Sequence, residues 1–72
     1  MVPRMVHYAS DVKRFITAYF PGVKVTRARR MPDYWDITVH SKRQTAEEKD
    51  VEQYDIEECV YKKYGDARVT DK

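Results

Sequence analysis

The sequence contains little glycine and cysteine, and these shortages limit the classes of protein it can encode. Only two of its 72 residues are glycine and one is cysteine. A Walker-type phosphate loop or a dinucleotide fingerprint needs several glycines in one short stretch, so neither motif is present. A single cysteine forms no internal disulfide, which favours a reducing compartment. We therefore expect a cytoplasmic protein.

Long apolar runs are also missing. No run approaches the roughly 18 residues that a membrane span requires, and the first residues lack the pattern of a signal peptide, so we expect no membrane partner. Hydrophobic residues make up 42% and charged residues 36%, as in a folded domain. We expect one small domain over residues 1–72, with residues 1–8 and 70–72 as candidates for flexible ends. A homodimer, which would complete a small core, is left open.

The net charge of +2 hides an uneven distribution along the chain. Residues 1–44 hold nine basic and three acidic residues, a net charge of +6, whereas residues 45–72 hold five basic and nine acidic residues, a net charge of −4. Such a division predicts two surfaces of opposite charge.

The first predicted element is a helix over residues 10–20, with Ser10 as its N-cap. The apolar residues recur at helical spacing and form one stripe, which consists of Val12, Phe15, Ile16, Tyr19 and Phe20. Proline and glycine at positions 21 and 22 end the helix.

Two predicted strands, residues 23–31 and 34–40, form a hairpin around Pro32-Asp33. The second strand alternates regularly and predicts a buried face of Trp35, Ile37 and Val39. In the first strand, strict alternation from Val25 would bury Arg27 and Arg29, which is too costly for unpaired guanidinium groups. Either a bulge near Thr26-Arg27 shifts the alternation, or the strand runs past the core.

A long helix is predicted over residues 46–64, with a capping box formed by Thr45 and Glu48 and a stop at Gly65. Its inner stripe is expected to contain Ala46, Ile56, Val60 and Tyr64, and a break near residues 50–53 is left open. A last short strand is expected at 67–70. The predicted fold class is therefore α+β in the order α-β-β-α-β, with two helices on one face of a small, mainly antiparallel three-stranded sheet.

The basic hairpin is the feature most informative about function. Basic groups neutralise phosphates, and flat rings offer stacking surfaces to unpaired bases. We therefore expect a non-enzymatic binding or regulatory protein that docks the hairpin on an anionic macromolecule, with nucleic acid as the leading candidate and an acidic protein surface as the other. The predicted contact residues are Lys24, Arg27, Arg29, Arg30, Tyr34, His40, Lys42 and Arg43. An ordinary solvated strand is the alternative.

A second candidate surface lies on the acidic helix, where Tyr54 and Tyr61 are seven residues apart. Tyrosine is enriched in protein interfaces, although these rings could also form the rim of the core. This surface suits a protein–protein regulator, such as a virus- or plasmid-encoded inhibitor of a host enzyme. No catalytic group, metal site or cofactor is expected, because the histidines are distant in sequence and Cys59 lacks a partner at ligand spacing.

The stretch from Ser10 to Ser41 contains a helix ending in FPG, a strand, and then WDITVHSKR. It resembles the opening of type II KH domains, which share the α-β-β-α-β order. The resemblance covers less than half of the chain and implies the architecture. In place of that family's GXXG loop the sequence has TAEEKD, so the resemblance assigns no binding residue.

Overall fold

The computed structural model of the protein describes residues 8–72; residues 1–7 of the expected flexible N-terminal end lie outside this range. The predicted order of elements is confirmed. The elements are α1 (Ala9–Tyr19), β1 (Val23–Arg30), β2 (Trp35–Ser41), α2 (Ala46–Tyr64) and β3 (Ala67–Asp71). None of the described helices is long and apolar enough to cross a membrane.

The three strands form one sheet in the order β1-β2-β3, so β2 is central. It pairs with β1 antiparallel and with β3 parallel, and α2 makes the crossover that a parallel connection requires. Helix α1 packs against β1 and α2 against β3. Both helices share one core with the same face of β2, as predicted.

The core lies between the helices and the inner face of the sheet. The side chains of Trp35, Ile37 and Val39 on β2 are at most 1% exposed, which confirms the alternation predicted for this strand. The other buried apolar residues are Val12, Ile16, Val23, Ile56, Val60 and Val69. The central strand therefore supplies the middle of the core, and each helix covers one half of it.

A bulge in β1 resolves the conflict seen in the sequence. The pairing with β2 shifts between Val25 and Arg27, so that Thr26 is the extra residue. Ala28 then lies opposite Ile37 and packs against the core. Of the two alternatives predicted from the sequence, the structure shows the bulge near Thr26-Arg27, and it leaves the arginines in solvent.

Helix α1 begins earlier than predicted, and Ser10 is not its N-cap. The cap is Tyr8, whose backbone oxygen accepts hydrogen bonds from the amides of Asp11 and Val12 at 3.0 and 3.2 Å. Ser10 lies inside the first turn. Tyr19, expected in the buried stripe, is exposed and stacks on Phe15, with 4.8 Å between ring centroids.

Helix α2 is continuous, without a break near residues 50–53. Thr45 accepts a hydrogen bond from the amide of Glu48 at 3.2 Å, which confirms the predicted cap. Ala46, expected in the inner stripe, is exposed, and Glu52 is buried instead. The buried position of Glu52 is tolerated because its carboxylate has polar partners there. It ends at Gly65, whose φ of 107° favours glycine.

Candidate functional site

Because both helices lie on one side, the other side of the sheet is not covered by any described element; we call it the open sheet face. The register places Lys24 opposite His40, Arg27 opposite Thr38 and Arg29 opposite Asp36. Directly opposed residues share a face, and the inner face is occupied by their neighbours. Three predicted contact residues of β1 therefore project from the open sheet face beside His40.

The β1 side of the open sheet face carries unneutralised positive charge. Lys24, Arg27 and Arg29 are exposed, and none of them makes an ion pair with any group of residues 8–72. The carboxylate opposite Arg29, that of Asp36, is half-buried and likewise forms no ion pair within the described part of the chain. This row of cations is available to an external anion.

The two predicted stacking groups lie in different places: His40 is opposite Lys24, whereas Tyr34 lines a pocket around Arg68 on the β3 side. The Nδ1 atom of His40 donates a hydrogen bond to the backbone oxygen of Lys72 at 2.8 Å, which fixes the orientation of the imidazole. The half-buried ring of Tyr34 lies at the start of β2, and the guanidinium of Arg68 sits 4.7 Å from its centroid. Both predicted stacking groups are thus held in place by β3 or by the residue that follows it.

Sequence reasoning missed Arg68. It pairs in register with Asp36 from the parallel strand β3 and alternates with the buried Val69, which places it on the open sheet face. Arg68 was not predicted as a contact residue because it lies in the acidic half of the sequence, although the alternation around Val69 predicts that its side chain faces outward. Asp33, Glu57 and Asp66 line a shallow pocket with Arg68, so the positive charge is strongest at β1.

The remaining predicted contact residues lie away from the open sheet face. Arg30 pairs in register with the buried Trp35, and its guanidinium lies 5.6 Å from the Trp35 ring centroid on the helix side. Lys42 follows β2 and lines a groove between α1 and β1. Arg43 is engaged inside the molecule: its Nε atom lies 3.1 Å from the Oε2 atom of Glu52.

Glu52 is the centre of a polar cluster at the end of β2. Its carboxylate accepts hydrogen bonds from the hydroxyl of Ser41 and from Arg43, and the Ser41 hydroxyl accepts one from the Arg43 amide at 3.0 Å. Asp71 accepts a hydrogen bond from the Ser41 amide at 3.3 Å. The cluster joins β2, α2 and β3, so Arg43 has a structural role.

The tyrosine pair on α2 is exposed. The side chains of Tyr54 and Tyr61 are 66% and 60% exposed, and that of Val51 is 58% exposed on the same helix. Glu57 and Glu58 lie beside the tyrosines around a shallow pocket. The rings do not form the rim of the core, and the sequence analysis did not identify Val51 as part of this surface.

Metal binding finds no support in the described residues, where no group of three or more His, Cys, Asp or Glu side chains could hold an ion. Cys59 is half-buried on α2, whereas His40 projects from the opposite side of the sheet. The two are therefore not placed to act together.

The comparisons with known proteins identify no relative. No protein-family model matches the chain, and searches of curated proteins and of solved structures find no significant match. The resemblance to type II KH domains is therefore not supported by a family match, and the order of elements is what the structure shares with it.

Proposed function

We propose that this protein is a non-enzymatic nucleic-acid-binding module that binds through its open sheet face. The observation that carries the proposal is the row formed by Lys24, Arg27 and Arg29, three exposed cations on the same face of one strand with no ion pair in residues 8–72. Cations in such a row neutralise successive phosphates and release counterions. His40 beside Lys24 and Tyr34 on the β3 side of the sheet supply flat rings for bases.

The distribution of charge over the molecule supports the same proposal. Helix α2 carries most of the acidic residues and packs on the inner face, so most of its carboxylates lie on the helix side of the sheet; Glu57 also lines the pocket beside Arg68, on the β3 side. An approaching polyanion is then attracted to one side and repelled from the other. This arrangement favours one orientation of binding over diffuse attraction to the whole surface.

The direct test compares two variants that each lose two positive charges. Arg27→Gln/Arg29→Gln removes cations from the open sheet face, and Lys49→Gln/Lys62→Gln removes them from α2. We expect the first variant to bind a fluorescent single-stranded oligonucleotide more weakly, with the slope of log affinity against log salt reduced by about 1.4, or 0.7 for each phosphate contact. The second variant should bind like the wild type.

Equal affinities and slopes for the wild-type protein and Arg27→Gln/Arg29→Gln would refute the proposal. Circular dichroism of both variants should match the wild type, since all four substituted side chains lie outside the buried core.

A second candidate function, a regulator that binds another protein, is favoured by the exposure of Tyr54, Tyr61 and Val51 on one helix. Tyrosine buries a large area at low entropic cost, and the surrounding carboxylates suit a basic partner. Its test is a pull-down from nuclease-treated extract. A stoichiometric partner retained by Arg27→Gln/Arg29→Gln and lost with Tyr54→Ala/Tyr61→Ala would favour this function over the first.

A further inference from the structure

A groove of about 780 Å³ runs between α1 and β1, along the free edge of the sheet. Part of its wall is apolar and includes Val23 and Val25. Its basic lining residues come from three places in the sequence and are Lys13, Arg14, Lys24 and Lys42. No acidic residue of the described chain lines it.

Three of these four cations make no ion pair within the part of the chain that the structure describes. Arg14 pairs with Asp11 at 2.9 Å, whereas Lys13, Lys24 and Lys42 make no ion pair within residues 8–72. A groove that combines ammonium groups without an ion pair and an apolar wall fits a polyanion whose sugars and bases pack on that wall.

The groove is continuous with the open sheet face through Lys24. This residue lies opposite His40 in the register and also lines the groove, because β1 is an edge strand. The positive surface therefore turns around the edge of the sheet, from Arg27 and Arg29 on one side to Lys13 and Lys42 on the other.

A surface that turns around the edge of a sheet suits a single strand better than a duplex. The outer strands of a three-stranded sheet are only about 10 Å apart, and a duplex, with a persistence length of about 50 nm, does not bend around such an edge. A single strand has rotatable backbone bonds and exposed bases and follows such a path. A backbone that entered the groove would meet cations that a duplex on the open sheet face does not reach.

Resting on the proposed function, we propose that the ligand is a single-stranded nucleic acid that crosses the edge of β1 and places its backbone in the groove between α1 and β1. Lys13 and Lys42 then bind phosphates beyond those bound by Arg27 and Arg29. The chemistry recognised is the phosphodiester backbone, so the groove itself does not read sequence.

The experiment measures the fluorescence anisotropy of two labelled probes, an oligothymidylate and a blunt duplex of equal length. The probes are about 12 nucleotides long, which lies within the range of site sizes of single-strand-binding proteins. The variants are Lys13→Gln/Lys42→Gln and, because Lys13 is half-buried, the exposed Lys42→Gln alone. For oligothymidylate we expect the salt slope to fall by about 1.4 in the double variant and about 0.7 in the single one. Duplex affinity should not change, and Lys49→Gln/Lys62→Gln should match the wild type with both probes.

The outcomes separate the two proposals. If Arg27→Gln/Arg29→Gln weakens binding while both groove variants bind oligothymidylate with the wild-type affinity and slope, the groove has no role and the open sheet face alone binds. Equal wild-type affinity for the two probes also overturns the inference. If the wild type binds neither probe, the proposed function itself is wrong.

Discussion

The guanidinium of Arg68 lies 4.7 Å from the centroid of the Tyr34 ring and so joins β3 to the start of β2. The contact orients an aromatic ring on the β3 side of the sheet without using any of the β1 cations. An exposed cation–π pair of this kind contributes about 0.5–1 kcal/mol. Its main consequence is a ring that is already positioned when a ligand arrives.

We therefore predict that Tyr34→Ala weakens binding to single-stranded oligonucleotides by about 1–3 kcal/mol, the contribution of one stacked base. Tyr34→Phe keeps the ring and should bind like the wild type. Fluorescence anisotropy at fixed salt gives both affinities. Unchanged affinity of Tyr34→Ala would show that this ring is not part of the interface.

Thr26 is the extra residue of the bulge and has no pairing partner on β2. Deleting Thr26 removes the extra residue and leaves Val25 opposite Val39 and Arg27 opposite Thr38, as in the intact protein. We expect this deletion variant to fold and to retain oligonucleotide binding. Its circular dichroism spectrum and its cooperative urea transition are the measurements.

Deletion of Ala28 is the matched comparison. It moves Arg29 opposite Ile37 and so turns its guanidinium toward the core, which costs several kcal/mol for an unpaired charge. We expect loss of the cooperative transition. Equal stability of the two deletion variants would contradict the register described for β1.

The cluster around Glu52 predicts a loss of stability. Glu52 is 8% exposed, and Glu52→Gln weakens the charge-assisted hydrogen bonds that its carboxylate accepts from Ser41 and Arg43. The free energy of unfolding should therefore fall by about 1–3 kcal/mol. Urea denaturation measures the difference, with the exposed Asp55→Asn as control. A change no larger than that of the control would show that the cluster contributes little.

The two glycines should respond differently to alanine. Gly65 has φ 107° with nothing within 4 Å of an added Cβ atom, so Gly65→Ala should lose about 1–3 kcal/mol of stability through backbone strain alone. Gly22 has equal space and no positive φ, and Gly22→Ala should be neutral or slightly stabilising. Thermal unfolding compares them, and equal melting temperatures would contradict the explanation of how α2 ends.

Much of the fold could be predicted because its signals are local. The alternation of Trp35, Ile37 and Val39 needs no knowledge of the rest of the chain, and the Thr45–Glu48 cap is read from two positions. Because burying Arg27 is too costly, the sequence predicted either a bulge or a strand that runs past the core. Only the register of β1 against β2 identified the bulge.

The errors concern residues whose environment depends on distant partners. Glu52 is buried because Ser41 and Arg43 satisfy its carboxylate, and helical periodicity contains no information on those partners. The same contact engages Arg43, which we predicted to be a binding residue from its charge alone. The alternation with Val69 sets the face on which Arg68 lies, but its place beside Asp36 depends on the pairing of β3 with β2.

The central claim is that the β1 cations bind phosphates from the open sheet face, and the salt dependence of binding by Lys24→Gln/Arg27→Gln/Arg29→Gln tests it most directly. We predict that the slope of log affinity against log salt for a single-stranded oligonucleotide falls by about 2.1 relative to the wild type, or 0.7 for each lost contact. A wild-type slope in this variant, measured on folded protein, would contradict the account.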